Sequence, residues 1–104
     1  MLVIIKRPYE QPKRAEIDGS LKSLQDAVGG HIEHLGLGCI AEGCPGRAGV
    51  LFDEEGKMKQ KAPNFIFTND VIAGTAVFVG ETEEDFTDLS EAQACFIEEM
   101  FGVM

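Results

Sequence analysis

The chain has 104 residues, of which 44% are hydrophobic and 26% charged, and its formal net charge is −9. That length and balance describe one small domain with enough apolar surface for a core, and exclude a disordered chain. No apolar run reaches the ~18 residues of a membrane helix, and the start Met1–Arg7 has its charges after a short apolar run, the reverse of a secretory signal. The expectation is a cytoplasmic protein, with no membrane contact and a single domain over residues 1–104.

Leu2–Lys6 is short, apolar and rich in β-branched residues, which predicts a buried strand. After the proline-punctuated stretch Arg7–Pro12, the segment Arg14–Asp18 places Ala15 and Ile17 on one face and suits a second strand paired with the first. Asp18-Gly19-Ser20 carries turn and cap chemistry, and Leu21, Leu24 and Val28 then recur at helical spacing. Gly29-Gly30 ends this helix, because glycine accepts the left-handed conformation. His31–Ile40 predicts a strand with His31, Glu33, Leu35, Leu37 and Cys39 on one face, and Glu42–Arg47 a loop. Gly49–Phe52 is another short strand, followed by a hairpin turn at Asp53–Lys57 with Gly56 placed for positive φ. Pro63-Asn64 breaks the mixed stretch Met58–Asn69.

Val71–Val79 is the most apolar strand, with Gly74 and Thr75 inside it, and belongs at the centre of the sheet. Glu81–Asp88 reads as an acidic loop. Ser90-Glu91-Ala92-Gln93 fits a capping box opening the last helix, whose Gln93, Phe96, Ile97, Met100, Phe101 and Met104 fall on the side toward the sheet. The sum is an α+β domain, a mostly antiparallel sheet of about five strands with two helices packed on it.

Charge is distributed unevenly. Residues 1–61 hold all nine Lys and Arg and nine acids; from Ala62 to Met104 there are nine acids and no Lys or Arg. Such a chain repels phosphate backbones, which argues against direct nucleic-acid binding, and attracts a basic partner. Glu81, Glu83, Glu84, Asp85, Asp88 and Glu91 form the densest acidic stripe, and Phe86 inside it is either an exposed aromatic anchor or a ring tucked under the loop. These seven residues are the candidate protein-binding site.

Other constellations are weaker. His31, His34, Cys39 and Cys44 are permitted zinc ligands. However, His31 and His34 face opposite sides of a regular strand, and His31 and Cys39 lie roughly 26 Å apart at strand rise. The glycines at 36, 38, 43 and 46 lack the offsets and following helix of a phosphate cradle. Asp53-Glu54-Glu55-Gly56 has Met58 and Asn64 where a calcium loop needs Gly and Glu. Cys95 is flanked by Glu98 and Glu99, which oppose a thiolate, and Ser90 is a cap with no histidine after it. Three cysteines and no secretory signal leave free thiols. No catalytic residue, cofactor or metal is expected, and the chain reads as a non-enzyme.

The run Leu21-Lys22-Ser23-Leu24-Gln25-Asp26-Ala27-Val28-Gly29-Gly30-His31-Ile32-Glu33 resembles the signature L-x-x-L-Q-x-x-V-G-G-x-I-E of a family of small domains of unknown function. The family is found in phages, plasmids and gut bacterial mobile elements. Its later elements have counterparts in Asp53–Met58, Pro63-Asn64, Asp70–Gly80 and Leu89-Ser90, while Gly38–Gly49 departs from the pattern. The resemblance implies a fold type and a mobile-element origin, and no activity. Small acidic proteins of that origin often act against host defences, so the implied partner is a host nuclease or another basic nucleic-acid-binding protein. Two alternatives remain open. One is a small-ligand, nucleotide-type binder lined by His31, His34, Gly36 and Gly38; the other is a homodimer built on an exposed edge strand such as Leu2–Lys6.

Overall fold

In the computed structural model Leu2–Lys6 forms β1, and Lys13–Glu16 forms β2, pairing antiparallel with it so that Val3 faces Ala15. The structure describes residues 1–67 and 70–102, with Ile66 and Phe67 described by their backbone alone. Helix α1 spans Leu21–Val28. Its N-cap Ser20 accepts the Ser23 amide at 3.1 Å, and it ends at Gly29 with φ 81°, a conformation that a β-carbon disfavours.

The next strand is shorter than His31–Ile40. Strand β3 covers Ile32–Gly36, and Leu37–Cys39 turns as a single 3-10 helix. Leu37 is fully buried in the cluster that holds Ala48 and Val50. Burying it there outweighs continuing a strand at the sheet edge, where it would gain little cover. Strand β4 is Ala48–Asp53, buried along its whole length.

The stretch after β4 also departs from expectation. Residues 53–57 are no hairpin turn: β4 pairs with β3 and β7, and the chain passes from its end to a second sheet. Gly56 is not in the positive-φ region; that conformation falls instead on Gln60, φ 57°. Gly56 is required for close approach, since a β-carbon there would stand 2.5 Å from the Ala73 carbonyl oxygen. Pro63 opens β5 (Pro63–Phe67) rather than breaking a segment, and the first position of a strand tolerates a missing N–H.

The apolar run Val71–Val79 is two strands. β6 (Asp70–Ala73) pairs with β5 in a separate two-stranded sheet, and β7 (Ala76–Glu81) lies at the centre of the main sheet. The chain breaks between them at Gly74, φ 90°. A short β8 (Phe86–Thr87) folds back on β7. The main sheet runs β2-β1-β7-β4-β3, with β8 beside the far end of β7, and every registered pair is antiparallel. The described residues therefore hold eight strands rather than five. Leu2–Lys6 lies between β2 and β7, so it is no edge for a homodimer; β2 and β3 are the edges.

Helix α2 is Glu91–Met100 with both arms of the capping box: Ser90 Oγ accepts the Gln93 amide at 3.1 Å, and Gln93 Oε1 accepts the Ser90 amide at 2.9 Å. The Gln93 side chain also donates to the carbonyls of Pro45 and Arg47, each at 3.0 Å, and so ties the glycine-rich loop to the helix. Ile97 is fully buried, Phe96 and Phe101 are half-buried, and Met100 is 51% exposed; Met104 lies outside the described residues. The sheet thus has two covered faces. Ile4, Val50 and Phe78 pack with Ile72 of β6 and Ile97 of α2, while Val3, Leu51 and Val77 pack with Leu24 and Val28 of α1.

Candidate functional site

The period of two along a strand places Asp53, Leu51 and Gly49 of β4 on the α1 face, with Val77, Val79 and Glu81 of β7 and His34 of β3. Helix α1 covers the middle of that face. Polar groups occupy both ends.

At one end β7 and β8 form a hairpin with Glu81 opposite Phe86, so Thr82–Asp85 is its four-residue turn. Thr82 Oγ1 accepts the amides of Asp85 at 3.0 Å and Glu84 at 3.3 Å, and its hydroxyl donates to the Asp85 carbonyl at 3.0 Å. Asp85 Oδ1 accepts the Phe86 amide at 2.8 Å. The turn is held by its own backbone and hydroxyl. Glu83, Glu84 and Asp85 stand exposed on it, and among the described residues none of the three forms an ion pair.

The other four residues of the acidic stripe are already engaged. Glu81 is mostly buried and accepts the His34 Nε2–H; a β-carbon at Gly49 would fall 2.6 Å from both atoms of that pair. Phe86 is half-buried, with its ring 5.4 Å from the His34 ring, so it supports the pair instead of projecting as a free anchor. Asp88 Oδ1 accepts the Leu2 amide at 2.6 Å. Glu91 grips Arg14 through two bonds of 2.7 and 3.0 Å, and Glu98 takes the same guanidinium at 2.9 and 3.1 Å. The bonds from Glu98 and then Glu91 raise the guanidinium pKa, and Arg14 in turn lowers that of Glu91.

Asp70 pairs with Lys57. The cation-free second half is thus neutralised in part by cations folded in from the first 61 residues. Arg47 also lines a shallow depression of about 300 Å³ with His34, Glu81 and the acidic turn.

At the opposite end of the α1 face lies Asp53, 3% exposed. Its Oδ2 accepts Lys59 at 2.8 Å and Lys61 at 2.7 Å, and its Oδ1 accepts the Glu55 amide at 2.9 Å. Burial by itself would raise the Asp53 pKa. The hydrogen bonds from Lys59 and Lys61 more than offset it and hold the carboxyl well below the usual range. Lys61 also donates to the carbonyls of Val28 and Gly29 at 3.2 and 3.3 Å, where the C-terminus of α1 favours a cation. A β-carbon at Gly30 would lie 2.7 Å from Asp53 Oδ2, one at Gly29 2.9 Å from Lys61 Nζ, and one at Gly74 2.8 Å from Lys61 Cδ. The Val-Gly-Gly, Asp-Glu-Glu-Gly-Lys and Gly-Thr segments therefore meet at one ion cluster around the buried Asp53, which fixes α1 and the second sheet to β4.

The remaining sequence candidates are dispersed. His31 borders a depression with Gln25, Asp26, Gly29 and Gly30. His34 borders the acidic turn, and Gly36 and Gly38 border a third depression beside Cys44, so the four residues of the small-ligand alternative do not line one pocket. Cys39, Cys44 and Cys95 are free thiols, and burial pushes the Cys44 thiol up. Among the described residues no group of three His, Cys, Asp or Glu side chains is placed to hold a metal ion, and no helix is long and apolar enough to cross a membrane.

The fold and this face define a small α+β domain that displays an acidic hairpin turn beside a histidine–carboxylate pair. The chain belongs to the DUF3846 family, a domain of unknown function whose family model matches residues 1–102. No curated protein and no solved structure matches it.

Proposed function

We propose that this chain is a non-enzymatic binding module that engages a basic protein surface through the Thr82–Asp85 turn. The observation that carries the reading is the turn itself: three exposed carboxylate side chains, without an ion pair among the described residues, on a turn whose backbone Thr82 holds, in a chain of net charge −9. Like charges steer a basic partner into encounter, and a preformed turn backbone loses little conformational entropy on binding. The nucleic-acid groove of a host-defence nuclease has the required chemistry, and the resemblance to mobile-element proteins favours such a target. The contact is narrower than the full stripe, because Glu81, Asp88 and Glu91 are bonded within the fold and Phe86 is packed under the hairpin.

An NMR titration with a lysine-rich peptide tests this. Amide shifts centred on Glu83, Glu84, Asp85 and Phe86 that fade with added salt support the reading. Shifts spread evenly over every acidic surface, or centred elsewhere, count against it.

A further inference from the structure

The pairing pattern of the main sheet decides which backbone groups its edges leave open. Just past β4 the Glu54 amide donates to the His31 carbonyl at 2.9 Å, and the register continues Glu33↔Phe52 and Leu35↔Val50. In an antiparallel ladder alternate residues direct both backbone groups at the neighbouring strand. Glu33 and Leu35 therefore spend theirs on β4, while Ile32, His34 and Gly36 point theirs away from the sheet. The other side of β4 agrees: the Glu81 amide donates to the Arg47 carbonyl at 3.0 Å, so Gly49 and Leu51 direct theirs at β7. Among the described residues, the N–H groups of Ile32, His34 and Gly36 and the carbonyls of Ile32 and His34 have no hydrogen-bond partner.

Sheet edges are ordinarily guarded by charge, proline, bulges or brevity. The β2 edge is guarded: Lys13, Arg14 and Glu16 fill three of its four positions, and Arg14 is clamped to α2. Strand β3 has no lysine, no proline and no bulge. A β-carbon at Gly36 would meet nothing within 4 Å, so that end of the strand is open.

We propose that β3 is a docking edge that takes an extended lysine- or arginine-rich segment of a partner protein as an added antiparallel strand. Main-chain bonds hold such a segment, and its alternating side chains set which partner fits. A residue opposite His34 shares the face of Glu81 and the Thr82–Asp85 turn, which border one depression with His34. Residues opposite Glu33 and Leu35 share the other face, where Glu33, Phe52, Glu54 and Val71 line a cleft of about 220 Å³. Glu33 and Glu54 form no ion pair among the described residues, so both faces favour cations. A second copy is the poorer occupant. Antiparallel pairing of two β3 edges brings Glu33 and the acidic turn of each copy toward those of the other, on chains of net charge −9. The partner's charge rests on the reading above; addition as a strand rests on the edge alone.

The test is an NMR titration of the full chain with a short peptide of alternating lysine and valine. The expected result is saturable binding with slowed amide exchange at Ile32, His34 and Gly36. Gly36→Pro removes one outward donor and sets its ring at the edge. The backbone there, φ −66° and ψ 138°, already suits proline, so the variant keeps the fold and every charge. It is expected to weaken the peptide about tenfold or more. If it does not fold, amide exchange in the unaltered chain decides alone. Equal binding by the variant, or shifts at Thr82–Asp85 with no β3 amide slowed, overturns strand addition and leaves the acidic-turn reading standing. Slowed β3 exchange with the peptide that survives Glu83→Gln, Glu84→Gln and Asp85→Asn together supports strand addition and removes the turn from the contact. Absence of binding, or slowed β3 exchange that needs only a higher concentration of the chain itself, overturns the proposed occupant.

Discussion

Replacing Asp53 by Asn tests whether the ion cluster around this buried carboxylate holds the two sheets and α1 together. The substitution keeps the shape of the side chain and removes the charge that two lysines share. Lys59 and Lys61 keep 41% and 26% of their side chains exposed, so after the change both can turn toward water. The loss is therefore smaller than for a fully enclosed pair. Charged hydrogen bonds contribute about 1.5–3 kcal/mol each, and the amide oxygen can still accept one of the two, which gives a net cost of about 2–3 kcal/mol at pH 7.

The pH dependence has a definite sign. The Asp53 carboxyl is depressed in the folded chain, so its contribution is complete above the unfolded value of about 3.9 and declines as pH falls below it. Urea unfolding of both proteins at pH 7 and pH 3 measures this. The expected midpoint difference is about 1–2 M at pH 7. The free-energy difference then shrinks by about 1.4 kcal/mol per unit below pH 4. A difference under about 0.5 kcal/mol at pH 7, the size of an ordinary surface change, or one unaltered by acid, would refute the reasoning.

Gly49→Ala drives a methyl group into the His34–Glu81 pair, and an overpacking cost of about 1–3 kcal/mol is expected in thermal melts, with the His34 ring resonances displaced. Unchanged His34 resonances would show that the pair does not need the glycine. Ser90→Ala removes the acceptor for the Gln93 amide and should lower stability by about 1 kcal/mol, read by denaturant unfolding. Phe78→Ala empties the core between β7, Phe65 and Phe101, and a loss of about 3–5 kcal/mol is expected from the same assay.

What was legible in the sequence was local. Ser20, Gly29 and the Ser90–Gln93 box mark helix ends through bonds made within a few residues, and the structure places α1 and α2 at those ends. The pairing of β1 with β2 follows from their closeness in the chain. What depends on distant contacts was hidden. An unbroken apolar run such as Val71–Val79 says that both of its halves are buried, but not that they serve different sheets; only the packing of β6 beside β5 separates them.

The internal bonds of the acidic stripe are hidden from the sequence for the same reason. Arg14 lies 77 residues from Glu91 and His34 lies 47 from Glu81, so counting charges along the chain could not pair them. Asp53 reads as a turn residue because Glu54, Glu55 and Gly56 follow it; the clue to its burial is the pair of glycines at 29 and 30, which a helix stop explains only in part. The place of β3 at the sheet edge had no local signal, since the strand order is set by pairing between distant segments.

The central claim is that Glu83, Glu84 and Asp85 recruit a basic partner. Capture from a bacterial lysate by the full chain, beside a variant carrying Glu83→Gln, Glu84→Gln and Asp85→Asn, measures it most directly. Both would be run at low and moderate salt, with retained proteins identified by mass spectrometry. The account predicts one basic protein retained by the unaltered chain, weakened by salt and lost with the variant. Equal retention by the two chains, or no basic protein retained by either, would contradict it.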